Sequence, residues 1–322
     1  MARKSVGIVA GLHVIAIALL LGGHVVTQLT LGFVLFAYTR GLLHALDADH
    51  LCMIDGSTRK LLGEHRDARG VGLAFSLGHS TVVLVAGLAV VVGAAWVREA
   101  IAPDTNLALM LSSIGASVSA LYLLGVAASN TPLLVAAVRG RHTGPHSAPR
   151  GWWARLLAAP LAKVTHRGHV YLFGVLFGLG FDTASTIALL MLTASGSLAG
   201  VPPVALLGFP FAFAAAMTLG DSINASIMLR VYTEAASDVR RRRLNIALLA
   251  VSIASAIAVG AVTISSLAAE WTGVQVVPEI DTTFWGYALA LLAASGALCL
   301  LLGRRRARRP EDAVVAEQRA KA

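Results

Sequence analysis

Charge is what this chain lacks most. Asp, Glu, Lys and Arg make up 13% of its 322 residues, against about 25% in soluble domains. With 57% hydrophobic residues and a mean hydropathy of +0.74, that shortage excludes an ordinary soluble globule. It predicts an all-α, polytopic membrane protein. Aromatics are also few, at 6%, so Ala, Val, Leu and Gly must do most of the packing and face most of the lipid. The only cysteines, Cys52 and Cys299, lie in apolar stretches and imply no disulfide framework. No ATP-binding motif is present, so the chain does not itself hydrolyse ATP. It also lacks His-Glu-x-x-His, a Gly-x-Ser-Gly nucleophile, repeated His-rich boxes and a paired Asp-rich diphosphate motif, which weighs against an intramembrane metalloenzyme. A membrane sensor would need a soluble output domain, and none is visible.

What is present is a series of apolar runs. Eight are long enough to span a bilayer, at about 6–22, 29–55, 71–97, 107–138, 170–194, 204–231, 245–268 and 284–303. They make one transmembrane domain over 1–322, with a basic loop at 139–169 and a basic tail at 304–322. Only Arg3 and Lys4 precede the first run, which reads as a retained helix and not a cleaved signal peptide. Pro202, Pro203 and Pro210 predict an irregular or kinked start to the sixth run. Of the 26 Lys and Arg residues, all but Arg40 and Arg98 fall at one set of helix ends. The opposite loop, 269–283, carries Glu270, Glu279 and Asp281. The net charge of +9 is therefore topological, and nucleic acid is not needed to explain it. The asymmetry predicts a multi-pass protein of the cell membrane with both termini in the cytoplasm. The 139–169 loop holds His142, His146, His166 and His169 without any acid, which reads as a solvated linker in preference to a metal-sensing loop.

Against this apolar ground, Gly41-Leu42-Leu43-His44-Ala45-Leu46-Asp47-Ala48-Asp49-His50 stands out. Charged and imidazole side chains at bilayer depth cost several kcal/mol unless paired or bound, so they default to a functional role. On one continuous helix His44, Asp47 and His50 share an arc of roughly 120°, with Asp49 outside it. Two imidazoles and a carboxylate suit a divalent transition metal. The bland alternative is a buried polar network that pins helices together. Counting at ~1.5 Å per residue from the helix ends puts His79, Asp182 and Asp221 at about the same depth, on three other helices. Small neighbours, among them Gly78, Ser80, Gly180, Gly220 and Ser222, permit close backbone approach. Leu77-Gly78-His79-Ser80 also resembles Leu219-Gly220-Asp221-Ser222 on a helix running the other way, as an inverted repeat would leave behind.

Together these residues resemble the nickel/cobalt transporter family (NiCoT), from about Leu31 to Asn224. The helix-two pattern matches at His44-Ala45-Leu46-Asp47-Ala48-Asp49-His50, and its sequel at Ile54-Asp55 and Thr58-Arg59-Lys60. Gly78-His79-Ser80 and Leu179-Gly180-Phe181-Asp182-Thr183-Ala184 follow in family order. The resemblance implies that Ni²⁺ or Co²⁺ is carried as substrate, with no cofactor, through a His/Asp site on the second helix. Its metal-site candidates are His44, Asp47, Asp49, His50, His79, Asp182 and Asp221. Arg40, Ser80, Thr183, Thr186, Ser222 and Asn224 would line the pathway or support it. Uptake is the simpler direction, with efflux as the alternative. The chain departs from the pattern at Leu43, where an Arg is usual, and at Thr186 and Asn224, where acids are usual. Those departures are expected to tune metal preference and not to abolish transport. The bilayer and the metal ion are the partners this reading implies, and oligomeric state is not legible.

Overall fold

In the computed structural model of the chain, the described residues are 3–23, 27–92, 105–140, 159–179, 184–234, 239–274 and 276–277. Residues 286–287, 290–291 and 294–295 are also described. Every regular element among them is an α-helix. In chain order these are α1 Arg3–Gly22, α2 Gln28–His44, α3 Ala48–Gly63, α4 Val71–Val92 and α5 Asn106–Val138. There follow α6 Ala159–Ala162, α7 Arg167–Gly178, α8 Ala184–Leu198, α9 Pro203–Glu234 and α10 Val239–Thr272.

Five of these, α1, α4, α5, α9 and α10, hold segments long and apolar enough to cross a membrane. The α2–α3 pair makes a sixth if it is one broken span. The run expected at 284–303 falls largely outside the described residues. So do most of the loop at 139–169 and the tail at 304–322.

The bundle is organised around α9, which packs on α1, α2, α3 and α4. Of its best span window, 67% is buried, against 17% for α1, so α9 is the central helix and α1 an outer one. Lipid is as apolar as the helices, so burial of apolar surface from water does not drive their association; small residues and polar contacts do. At the α4–α7 crossing, a Cβ on Gly78 would overlap the Tyr171 carbonyl, and one on Gly174 would overlap that of Phe75. Two glycines thus let these helices touch backbone to backbone. Pro203 opens α9, where its missing N–H costs nothing. The helix then runs through Pro210, whose ring lies against Gly87 of α4.

The main departure from expectation is the second span. The sequence predicts one helix over 29–55. The chain instead leaves α2 at His44 and re-enters helix at Ala48, and the two pieces are bent by 49°. Asp47 is extended there, with φ −62° and ψ 143°. Three contacts hold the break open. The Asn224 side-chain amide donates to the Ala45 carbonyl at 3.1 Å. Ala45 itself is fully buried against Gly220 of α9, where no Cβ would fit. Gly286 lies so close to the Leu46 carbonyl that it too can carry no side chain.

Candidate metal site

The break brings His44 and His50 to the same place. His44 ends α2, His50 lies in the first turn of α3, and their ring centroids are 4.5 Å apart. His79, from the middle of α4, completes a triangle at 4.9 Å from each. All three side chains are buried, and one ring nitrogen from each lies within 4.8 Å of the others. Phe75 stands 4.8 Å from the His50 ring and Phe213 5.6 Å from the His44 ring. These apolar rings wall two sides of the cluster.

Each of two histidines is backed by a carboxylate. His44 Nδ1 donates to Asp47 Oδ2 at 2.7 Å. His50 Nδ1 faces both Asp221 oxygens, at 3.3 and 3.4 Å. A carboxylate on Nδ1 keeps the proton there and leaves Nε2 with a free lone pair, the arrangement that orients imidazoles toward metals. His50 Nε2 is buried and has no hydrogen-bond partner. His44 Nε2 meets His79 Nε2 at 3.1 Å. Two nitrogens each about 2.1 Å from one ion stand roughly 3.0–3.4 Å apart, so this separation already suits a shared ligand. His79 Nδ1 is buried and unpartnered. Before an ion enters, the His79 Nε2 proton can serve the His44 lone pair.

The placement of the other expected residues divides them. Asp47 and Asp221 sit behind His44 and His50, and not among the three converging nitrogens. Asp49 accepts the His50 backbone N–H at 2.8 Å and does not belong to the cluster. Ser80 and Ser222 are buried with unpartnered hydroxyls, and Arg40 is half-buried with an unpartnered Nε. Asp182 and Thr183, and the side chain of Thr186, lie outside the described residues. Asn224, expected to line the pathway, holds the helix break.

Sequence reasoning did not reveal a second buried network on the opposite face of α3. Asp55 accepts from Arg59 Nε at 3.1 Å, from Ser252 Oγ at 2.7 Å and from the Tyr232 hydroxyl. The Arg59 guanidinium lies 4.1 Å over the Tyr232 ring and reaches Asn245 Oδ1 at 3.2 Å. These contacts tie α3 to α9 and α10. The motif Ile54-Asp55 with Thr58-Arg59-Lys60 signalled half of it, but its partners 177 and 197 residues away carry no local signature.

The family model described as NicO, high-affinity nickel-transport protein, matches residues 30–305. The chain is 38% identical over 258 residues to a nickel transporter, NicT, of Mycobacterium tuberculosis, covering 76% of this chain and 69% of the relative. It is 31% identical over 294 residues to the nickel transporter NixA of Staphylococcus aureus, covering 88% and 84%. To the cobalt transport protein NhlF of Rhodococcus rhodochrous it is 33% identical over 319 residues, covering 91% and 90%. No solved structure matches the chain. The match spans the broken helix, all three clustered histidines and Asp221, and on that extent the chain belongs to the NicO family of nickel transporters, a family of carriers and not of enzymes.

Proposed function

We propose that this protein carries Ni²⁺ or Co²⁺ into the cell by binding one ion between the Nε2 atoms of His44, His50 and His79. The observation that carries this reading is the convergence of three buried imidazoles from α2, α3 and α4, two of them backed by carboxylates. Imidazole nitrogen favours nickel, cobalt, zinc and copper over magnesium and calcium. Asp47 and Asp221 bring two formal negative charges to balance a divalent ion, without binding it so tightly that release fails. Asp49 and Asp182 add negative charge along the route, and Ser80, Thr183, Thr186 and Ser222 offer hydroxyls to the ion or its waters. Arg40 offsets part of that charge.

Uptake is the direction in which the membrane potential helps, by about 2.3 kcal/mol per charge per 100 mV and twice that for a divalent ion. The reading includes eight spans, with the loop 139–169, the tail 304–322 and both termini in the cytoplasm of a cell-membrane protein. The one-sided distribution of Lys and Arg supports it. Nickel flux into vesicles reconstituted with the purified protein tests the proposal. Replacing His50 by Ala is expected to reduce flux at least tenfold at equal protein content. Undiminished flux would remove His50 from the route.

A further inference from the structure

Away from the histidines, a cavity of about 300 Å³ opens between α1, α4 and α9. Its polar lining is made of Ser5, Arg69, Ser222, Ser226 and Arg230, and it includes no carboxylate. The first turns of α1 and α4 meet at this cavity, since Ser5 belongs to one and Gly70 directly precedes the other. Both helices are long, 20 and 22 residues, and their free N–H groups and dipoles favour negative charge. Ser222, 4% exposed, is among the residues that line the cavity, and its hydroxyl is buried without a partner among the described residues. A buried donor left unpaired costs about 1–3 kcal/mol, so an acceptor placed there would be stabilised.

The cavity's surroundings are cationic. Arg69 and Arg230 line it, and Arg167 stands beside Gly70, with Nη1 3.6 Å from where a Cβ on that glycine would lie. Against these three guanidinium groups there is one carboxylate among the described residues, Asp67. It accepts from Arg69 Nε at 2.9 Å and lies 3.8 Å from Arg167. The hydrogen bonds from Arg69 hold the Asp67 carboxyl below its ordinary range, so it remains charged and engaged. The two Nη groups of Arg69 and the whole Arg230 head group have no carboxylate partner among the described residues. Arg69 is 71% exposed and Arg230 is exposed too, so the mouth is open. Both stand at helix ends, the level at which a bilayer presents its phosphates.

We propose that this cavity is a binding site for a phosphate-type oxyanion, with Arg69 and Arg230 gripping the charge and Ser5, Ser222 and Ser226 supplying hydroxyls. Such a group is carried both by the headgroup of an anionic phospholipid and by free phosphate. Leu73, Ala225 and Leu229 complete the lining, giving an apolar flank beside the polar floor. The site lies apart from the three histidines and shares only Ser222 with the residues of the proposed ion route. Anion binding there is expected to brace α9 against α1 and α4.

Thermal unfolding of the purified full-length chain in neutral detergent tests this, at constant ionic strength made up with chloride. One series adds dihexanoyl phosphatidylglycerol, a second its phosphatidylcholine counterpart, and a third inorganic phosphate. A ligand held only by the native state raises the midpoint by roughly 2–5 °C near saturation. The proposal expects that rise with phosphatidylglycerol, with phosphate or with both, and its loss in the double variant Arg69→Gln/Arg230→Gln. Both replaced side chains are exposed, so the unliganded midpoint of the variant should stay within about a degree. A rise with phosphatidylglycerol alone identifies the lipid as the source, and a rise with inorganic phosphate alone identifies the free anion. The proposal is overturned if neither moves the midpoint, if phosphatidylcholine acts equally, or if the double variant responds like the parent.

Discussion

Asp47 and Asp221 each occupy the Nδ1 side of a histidine, and that position decides what their loss should do. A carboxylate behind an imidazole fixes its tautomer and raises its basicity, and removing one costs about 10–100-fold in metal affinity. Asp47→Ala is therefore expected to weaken nickel binding by that factor, read by competition against a chelator of known affinity. Asp47→Asn can still accept the Nδ1 proton, so it should lose less. Equal losses in the two variants would show that Asp47 acts through its charge alone. Asn224 makes a sharper case. By its place in the sequence it is a missing acid, and restoring it would be expected to raise affinity or shift the metal preference. In the structure its amide donates to the Ala45 carbonyl, which a carboxylate cannot do. Asn224→Asp should thus strand that carbonyl, at about 1–3 kcal/mol, and lower the unfolding midpoint instead of improving binding. A variant at least as stable as the parent, with tighter nickel binding, would contradict this account. The types of these residues were legible in the sequence, but their partners were not, because Ala45 and Asn224 are 179 residues apart.

Among the elements, α3 shows most clearly what periodicity could and could not reveal. The apolar run over 29–55 contains no proline to stop a helix, and the only glycine near the break, Gly41, sits inside α2. Nothing local therefore marks the break between His44 and Ala48. Tertiary contacts from α9 and from Gly286 impose it. The consequence for the site is large, since an unbroken helix would place His44, Asp47 and His50 as three ligands along one face. The bent one turns Asp47 behind His44 and lets His79 take the third place. His79 was legible as a rare ionisable group at matching depth, and so was the close approach beside it, from Gly78. Beside it, Ser76 of α4 donates to Thr218 of α9, 142 residues on and 3.0 Å apart. On its other face α3 is clamped by Asp55. A buried ion pair that loses one member leaves the other charge stranded, at about 3–5 kcal/mol. Asp55→Ala should therefore lower the unfolding midpoint far more than Asp67→Ala, whose carboxylate lies in an exposed turn. Similar midpoints for the two variants would mean that the Asp55 network is incidental.

Across the whole molecule, scarcity of charge made the fold class legible, and the sequence also marked most of the helices. Runs at 6–22, 71–97, 107–138, 204–231 and 245–268 correspond to α1, α4, α5, α9 and α10. The run at 170–194 takes in most of α7 and of α8, and residues 180–183 between them lie outside the described residues. The centrality of α9 was not legible. Its apolar pattern resembles that of its neighbours, and only packing shows that it touches α1, α2, α3, α4 and α8. That position explains why Asp221 is the acid that reaches His50. A helix buried on most sides has few places for a carboxylate except against another polar group.

The central claim is that a single ion is held by three imidazoles. X-ray absorption at the nickel edge, on the purified full-length protein loaded with one equivalent of Ni²⁺, reads those neighbours directly. The account predicts three imidazole nitrogens at about 2.0–2.1 Å, with their outer-shell ring scattering, in the unaltered protein. It predicts two in His79→Ala. A first shell of oxygen alone, or an unchanged imidazole count in that variant, would contradict it.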